Sequence, residues 1–282
     1  MAAEAEHGQT TGGYVVHHLT NLKLDLSTMT IDADATGFWV VHLDSIIFSV
    51  VLGLAFLWMF RSVAKSATTD TPSGLQNFVE MIVDFVQGQV REIFPHANSL
   101  VAPMGLTIFI WVFLMNLMDL VPVDWFPMAA AAVGVPYLKI VPSTDINVTF
   151  GLSLTVFVLM YVFSFKYKGV GGLAKEFLTH PFPWFLAPVN VVLRVVEDLA
   201  KPISLALRLF GNLFAAELIF LLIALMLGQA FSGLMGATLA GAGVLLQLGW
   251  AIFHIIVVPL QAFVFMVLTI VYLGAAAEAH DH

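Results

Sequence analysis

The stretch that decides the fold is Lys201-Pro-Ile-Ser-Leu-Ala-Leu-Arg-Leu-Phe-Gly-Asn-Leu-Phe-Ala-Ala-Glu-Leu-Ile-Phe220. It has the composition of a helix and is almost wholly apolar, yet it contains Arg208 and Glu217. These are the only side chains with a formal charge between Pro202 and Ala277. An arginine cannot shed its proton, and at the centre of a membrane helix it costs about 2.5 to 3.5 kcal/mol on insertion scales. A charge in such a position indicates a functional site.

The composition of the whole chain is that of a membrane protein. Of its 282 residues 60% are hydrophobic and only 11% are charged, with a mean hydropathy of +0.93. Soluble domains carry about 25% charged residues. The net charge of −8 and the lack of a basic run argue against nucleic acid as a partner. Cysteine is absent, and the His and Asp residues of the N-terminal segment lack the spacing of a metal site, so neither a metal nor a cofactor is expected.

Five apolar stretches are predicted to cross the membrane as helices. They are Phe38–Phe60, Leu100–Met118, Ile146–Phe165, Pro188–Gly228 and Gly236–Gly274. The sequence therefore predicts an all-α polytopic membrane protein. Each of the last two stretches would reach roughly 60 Å at ~1.5 Å per residue, about twice the ~30 Å hydrocarbon thickness. We therefore expect these two helices to be broken, strongly tilted or partly flat in the membrane, as a long hairpin over residues 188–274 that turns at Gly228–Gly236.

The remaining segments are more polar. Residues 1–37 are predicted to be a solvated tail, and residues 38–282 a single membrane domain. Residues 75–94 alternate apolar and polar positions with helical period, which predicts an amphipathic helix at the membrane interface or against a partner. The proline-rich stretch 119–145 is expected to be an irregular interfacial loop, and Gly169–Gly172 a turn.

The distribution of basic residues predicts the orientation. Most of them flank one side of the apolar stretches: Arg61, Lys65, Arg91, Lys166, Lys168, Lys175 and Arg194. By the positive-inside rule the N-terminus lies outside, and five crossings leave the C-terminus inside. The first residues lack the basic start of a signal peptide, which favours a bacterial or organelle-encoded protein.

Arg208 has no evident anionic neighbour on its own helix. Ser204 and Asn212 lie one turn away, and Glu217 lies roughly on the opposite face, about 13 Å farther along the axis. The counter-charge of Arg208 is therefore expected on a different polypeptide. The alternative is an acid elsewhere in this chain, such as Asp119, Glu197 or Asp198.

A polar stripe runs along the last helix. Gln247, His254 and Gln261 are spaced by seven residues and so share one face. Because imidazole and buried carboxylate groups can exchange protons near neutrality, the stripe together with Glu217 indicates a proton relay. The alternative is that each polar group is merely satisfied by a hydrogen bond.

Several motifs resemble subunit a of the bacterial F-type ATP synthase. The most specific are Pro202-Ile-Ser-Leu-Ala-Leu-Arg-Leu-Phe-Gly-Asn212 and Trp250-Ala-Ile-Phe-His254. Further similar motifs are Trp111-Val-Phe-Leu-Met-Asn-Leu-Met-Asp119 and Val141-Pro-Ser-Thr-Asp-Ile-Asn-Val148. The resemblance covers most of the chain.

The resemblance implies a non-catalytic stator subunit in a bacterial inner membrane, with a periplasmic N-terminus and a cytoplasmic C-terminus. Its partners would be the rotating ring of c subunits and the b-subunit peripheral stalk. Two aqueous half-channels would each cross half of the bilayer, and Arg208 would face the essential carboxylate of the ring. The residues implied for the outer path are Glu217, His254, Asn212 and Gln261, with Asp119, Ser143 and Asp145 near its mouth and Gln247 as a further half-channel candidate.

One position departs from the family pattern. Relatives have a glutamate towards the inner half-channel where this chain has Arg194, and Glu197 and Asp198 follow within one helical turn. We expect these two acids to take over the inner proton exit, with Arg194 paired to one of them. The alternative is a surface salt bridge.

Two other classes of function fit the sequence less well. A secondary transporter could use Arg208 to bind an anionic substrate, but such proteins usually have repeated halves, and this chain has none. A purely structural subunit gives no reason to keep Arg208, Glu217 and His254 in lipid.

Overall fold

The structure is a computed structural model that describes residues 11–68, 71–72, 74–122, 125–132, 134–135, 137–228 and 233–277. Its α-helices are α1 (Thr11–Leu19), α2 (Leu43–Ser66), α3 (Gly74–Ile93), α4 (Val101–Leu117), α5 (Trp125–Ala132), α6 (Ile146–Thr179), α7 (Ala187–Gly228) and α8 (Leu234–Ala277). Strands β1 (Lys23–Asp25), β2 (Thr30–Ile31) and β3 (Val40–His42) form an antiparallel sheet in the order β2-β1-β3. Short 3-10 turns cover Met118–Leu120, Pro142–Thr144 and Trp184–Leu186.

Five of the helices are long and apolar enough to cross a membrane, namely α2, α4, α6, α7 and α8. The expected all-α polytopic membrane fold is confirmed, with the small sheet as an addition. The helices α7 and α8 have 42 and 44 residues and continue through Pro202 and Pro259. Of the three arrangements expected for them, a break is therefore absent. The centre of the turn between them lies outside the described residues.

The polar N-terminal segment is structured where it is described. It contains α1 and the sheet, so the expectation of a plain solvated tail was wrong for these residues. Because of the sheet, the first membrane helix also begins later in the sequence than expected. Val40–His42 pairs with β1, and the N–H of Leu43 donates to the Leu22 carbonyl at 2.9 Å, so α2 begins at Leu43 and not at Phe38.

Two segments expected to be irregular are partly helical. The stretch 119–145 contains α5, whose alanine-rich sequence favours a helix. Instead of a turn over Gly169–Gly172, α6 consists of two helical segments joined at Gly169 (φ 68°, ψ 173°). Glycine adopts this backbone conformation without the steric cost that a side chain would bring, so the helix resumes directly after it.

The amphipathic pattern of residues 75–94 forms a helix within one residue of the expected bounds. On α3, Val79, Val86 and Val90 are buried, whereas Phe78 and Met81 are exposed. The helix therefore uses only part of its apolar face within this chain. Its place at the membrane interface or against a partner stays a prediction.

The described chain divides into two compact units. Unit 1 takes its residues from Met1–Ala55, Trp111–Val148 and Phe210–Gln261. Unit 2 takes its residues from Phe56–Ile110, Thr149–Leu209 and Ala262–His282.

Each unit has its own packing. In unit 1, α2 and α4 approach closely at Gly53, where an added Cβ would lie 3.2 Å from the Trp111 ring. The Trp111 indole N–H donates to the Ser49 carbonyl at 2.8 Å. The core of unit 2 joins residues of α3, α4, α6 and α8; its members include Val86, Val90, Val101, Met160, Phe163, Met266, Ile270 and Leu273.

Candidate functional site

Unit 1 contains a buried ion pair between Lys139 and Glu217. The Nζ atom lies 3.1 Å from Oε2, and the two side chains are only 4% and 8% exposed. Breaking such a pair by removing one partner is strongly destabilising, because the other charge stays buried without compensation. Glu217 therefore has a cationic partner, which sequence spacing did not reveal because Lys139 lies in the distant 119–145 stretch.

The surroundings of Lys139 hold its side chain in place. Its ammonium group lies over the Phe214 ring, 5.5 Å from the centroid, and 3.4 Å from the Thr144 carbonyl oxygen, to which it donates. Its backbone N–H donates to Asp44 at 3.0 Å. The main chain at Lys139 is thus fixed independently of the ion pair.

A second buried pair joins His254 and Asp119. His254 Nε2 lies 2.7 Å from Asp119 Oδ2, and the side chains are 1% and 4% exposed. From the sequence, Glu217 was expected to act together with His254. The structure instead pairs each of them with a residue of the stretch that follows α4, and Lys139 is the titratable group that was not expected.

The polar stripe of α8 divides into three different environments. Gln261 accepts a hydrogen bond from the Asn212 amide at 3.0 Å, so these two candidate residues are neighbours within unit 1. His254 packs its ring against Phe220 at 5.5 Å between centroids. Gln247 makes no side-chain hydrogen bond to a residue that the structure describes. The three residues of the stripe therefore do not form one continuous chain of hydrogen bonds among the described residues.

Two buried polar side chains in unit 1 lack a partner among the described residues. Asn116, one turn before Asp119 on the chain, and Ser143 are both fully buried, and neither side chain has a hydrogen bond there. Buried polar groups are nearly always satisfied, so such positions indicate ordered water. Asn116 was not singled out in the sequence, and it belongs with the candidate residues.

Asp145 lies beside His42 of β3. His42 Nδ1 is 2.7 Å from Asp145 Oδ2, and the backbone N–H of Asn147 donates to Oδ1 at 2.9 Å. Burial favours a higher pKa for Asp145, but the contacts with His42 and Asn147 outweigh it and place this pKa below its ordinary value. Asp145 is therefore a fixed anion that ties α6 to β3.

Arg208 belongs to unit 2 and differs from all these groups. Its side chain is exposed and makes no ion pair or side-chain hydrogen bond with the described residues of that unit. The intrachain alternatives for its partner in unit 2 are Glu197 and Asp198, and both are engaged by Lys201.

The two acids of unit 2 have different environments. Asp198 is almost fully buried and receives Arg194 Nε at 3.0 Å, Lys201 Nζ at 3.0 Å and the Tyr161 hydroxyl at 2.8 Å. The Glu197 side chain is 61% exposed and pairs with Lys201 at 3.0 Å.

Arg194 links this cluster to α6. Its Nη1 lies 3.1 Å from Glu176, which also pairs with Lys168 at 2.8 Å. The expected pairing of Arg194 with one of the two acids is present in the structure, with Asp198 as its partner. A wide cleft of about 500 Å³ lies beside Arg194 and is lined by Glu197 and His180.

The buried pairs of unit 1 consist of groups that can accept or release protons. Within the described residues, no group of three or more His, Asp or Glu side chains is placed to hold a metal ion. Paired carboxylates, imidazole and amides beside buried orphan polar groups are the side chains of a membrane proton relay.

Comparison with known proteins places these residues in a family. The model of the ATP synthase A chain matches residues 46–274. The chain is 57% identical over 281 residues to ATP synthase subunit a of Shewanella amazonensis (strain ATCC BAA-1098 / SB2B), covering 99% of this chain and 100% of that protein. It is 54% identical over the same coverage to ATP synthase subunit a of Shewanella sediminis (strain HAW-EB3), and 56% to that of Shewanella baltica (strain OS155 / ATCC BAA-1091). The chain therefore belongs to the ATP synthase A chain family, the multi-pass inner-membrane subunit a of bacterial F-type ATP synthases.

Proposed function

We propose that this chain, as the proton-translocating stator subunit of the synthase, conducts protons through two half-channels that Arg208 keeps apart. The observation that carries the proposal is the exposed Arg208 on apolar α7, without a partner among the described residues of its unit. A cation kept in a membrane helix needs an anion. The essential carboxylate of a c-subunit ring would supply that anion from outside this chain.

The outer half-channel runs through the polar groups of unit 1. The pairs His254–Asp119 and Lys139–Glu217 supply groups that accept and release protons, and the Asn212–Gln261 amide pair follows towards the segment that contains Arg208. The orphan polar atoms of Asn116 and Ser143 support water between these groups. With this path on the outer side, the N-terminus is periplasmic and the C-terminus cytoplasmic.

The inner half-channel ends at Glu197. This carboxylate is exposed beside the wide cleft, whereas Asp198 is enclosed by Arg194, Lys201 and Tyr161. A group that exchanges protons with solvent must be accessible, so Glu197 is the better exit group. Asp198 then acts as the fixed anion that positions Arg194.

The partners follow from this mechanism. The c-subunit ring turns past Arg208, and the b-subunit stalk holds the chain still against it. The chain itself performs no chemistry on ATP, and its contribution is the path of the proton.

Replacement of Arg208 tests the proposal. Arg208→Ala in the assembled synthase is expected to abolish ATP-driven proton pumping into inverted membrane vesicles, and Arg208→Lys is expected to fail as well, because a lysine is a mobile charge that loses its proton when buried. Leu199→Ala, an exposed residue of the same helix, serves as the control. Normal pumping by Arg208→Ala, with the complex assembled, would refute the assigned role.

The alternative of a secondary transporter is not supported. The relatives that match the chain over its length are subunits of ATP synthase. Arg208 therefore needs no soluble anionic substrate to account for its charge.

A further inference from the structure

A small cavity in unit 1 connects the buried charges with the N-terminal segment. Its volume is about 20 Å³, enough for a water molecule, and Asp119, Lys139 and Glu217 line it. His18 of α1 lines the same cavity. We propose that His18 is the port through which protons enter the outer half-channel, an inference that rests on the proposed function.

Accessibility separates His18 from the groups behind it. Asp119, Lys139 and Glu217 are 6%, 5% and 6% exposed, so they have little direct contact with bulk water. His18 is half-buried and lines the cavity, so its side chain is in reach of both solvent and the buried groups. It therefore offers a route by which a proton can pass from solvent to the cavity.

The chemistry of the imidazole suits this position. An imidazole can accept a proton on one ring nitrogen while it releases one from the other. A lysine ammonium has donors only, so Lys139 cannot take the first step. Among the described residues that line the cavity with His18, the charged groups are Asp119, Lys139 and Glu217, and its neighbour His17 lies 5.4 Å away between ring centroids.

The chain fixes α1 over the cavity through one buried carboxylate. Asp44, which is 1% exposed, accepts the backbone N–H of Leu22 at 2.9 Å and the backbone N–H of Lys139 at 3.0 Å. The same side chain thus ties the segment just after His18 to the residue that pairs with Glu217. The N-terminal segment is part of the path and not a loose tail.

His17 provides a second attachment and a matched control. Its ring packs on Tyr137 at 5.1 Å between centroids, two residues before Lys139. It does not belong to the described residues that line the cavity. Replacing His17 removes an imidazole and a packing contact from the same helix without removing the port.

The experiment uses the complete synthase in liposomes, with the outer half-channel facing the lumen. ATP synthesis is driven by a fixed proton-motive force while the luminal pH is varied from about 6 to about 8, the range over which imidazole titrates. His18→Ala is expected to slow synthesis several-fold, most strongly at the alkaline end, where free protons are scarce. Trapped 4-methylimidazole is expected to restore the rate, and a dimethylimidazolium salt that cannot titrate is not.

The controls distinguish the port from a structural role. His17→Ala is expected to keep the wild-type pH profile and to gain nothing from 4-methylimidazole. If His18→Ala fails to assemble, His18→Gln retains a polar side chain and takes its place. If the His18 variant synthesises ATP at the wild-type rate at every luminal pH, or if 4-methylimidazole does not restore its lost rate, His18 is not the proton entry point.

Glu217→Gln separates this inference from the proposed function. If Glu217→Gln synthesises ATP normally, the proposed outer half-channel is refuted, and so is the role of His18 as its entry point. If Glu217→Gln is blocked while His18→Ala behaves as wild type, the path stands and only the port is wrong.

Discussion

Lys139→Met provides the sharpest test of the buried charges. The substitution removes the ammonium group 3.1 Å from Glu217 and keeps a long apolar side chain against Phe214. It also keeps the backbone N–H that donates to Asp44, so the fold of this segment is retained. The perturbation is therefore almost purely electrostatic.

The size of the effect follows from the burial of the pair. Both side chains are less than a tenth exposed, so removal of one partner leaves a buried charge. Loss of one partner from such a pair typically costs about 3–5 kcal/mol. The loss corresponds to roughly a hundredfold or more in a folding equilibrium, because each 1.4 kcal/mol is about tenfold. Lys139→Met is therefore expected to lower the thermal stability of the assembled complex measurably.

A double variant shows whether the cost lies in the pair. Lys139→Met combined with Glu217→Gln leaves no buried charge at this position, so it is expected to recover most of the lost stability. It is not expected to recover proton pumping, because Glu217 is part of the proposed outer path. Stability is measured as the temperature at which the purified complex dissociates, and pumping as acidification of inverted vesicles.

The control for this experiment is Lys23→Met. Lys23 lies in the same unit, on β1, and its ammonium group donates to the Ala35 carbonyl at 3.3 Å. Its loss is expected to leave pumping unchanged. A double variant no more stable than Lys139→Met alone would contradict the reasoning, as would a Lys139→Met complex as stable as the wild type.

Two further outcomes are expected. Glu197→Gln should slow proton-driven synthesis in a complex that assembles normally. Asp198→Asn should lower assembly, because Arg194 and Lys201 lose a buried partner. Equal effects of the two substitutions would contradict the different roles assigned to the residues, Glu197 as exit group and Asp198 as fixed anion. The lowered pKa of Asp145 adds stability above the ordinary value of 3.8, and that contribution disappears as the pH falls through the lowered pKa. The difference in melting temperature between the wild type and Asp145→Asn should therefore shrink as the pH falls from about 5 to about 3, and a constant difference would show that ionisation of Asp145 adds nothing.

The sequence was sufficient to predict the membrane helices and to single out Arg208. In lipid, the backbone N–H and C=O groups of a long apolar run can be satisfied only within a helix, so the five membrane helices were predictable from composition alone. Arg208 was conspicuous because a charge is rare and costly in such a run. The Asn212–Gln261 contact also joins two residues that had been selected separately.

Pairing across the chain was harder to predict. Helical periodicity reports which residues share a face, but Lys139 and Asp119 come from a stretch without a clear period. Glu217 and His254 were therefore assigned to each other, although each has a different partner in unit 1. The role of Asp44 was equally hidden, because most of its donors, the Asn21 amide and the backbone N–H groups of Leu22 and Lys139, come from other segments.

The two buried pairs of unit 1 have a consequence for the order in which charge can move. When His254 and Asp119 share one proton, that pair is electrically neutral, and so is the pair of the Lys139 ammonium with the Glu217 carboxylate. One additional proton on these two pairs would leave them with a net charge of about +1, which repels a second proton strongly at short range. In the proposed outer path, the two pairs would therefore hold only one additional proton at a time. Such single occupancy would match delivery of protons to a ring that accepts them one carboxylate at a time.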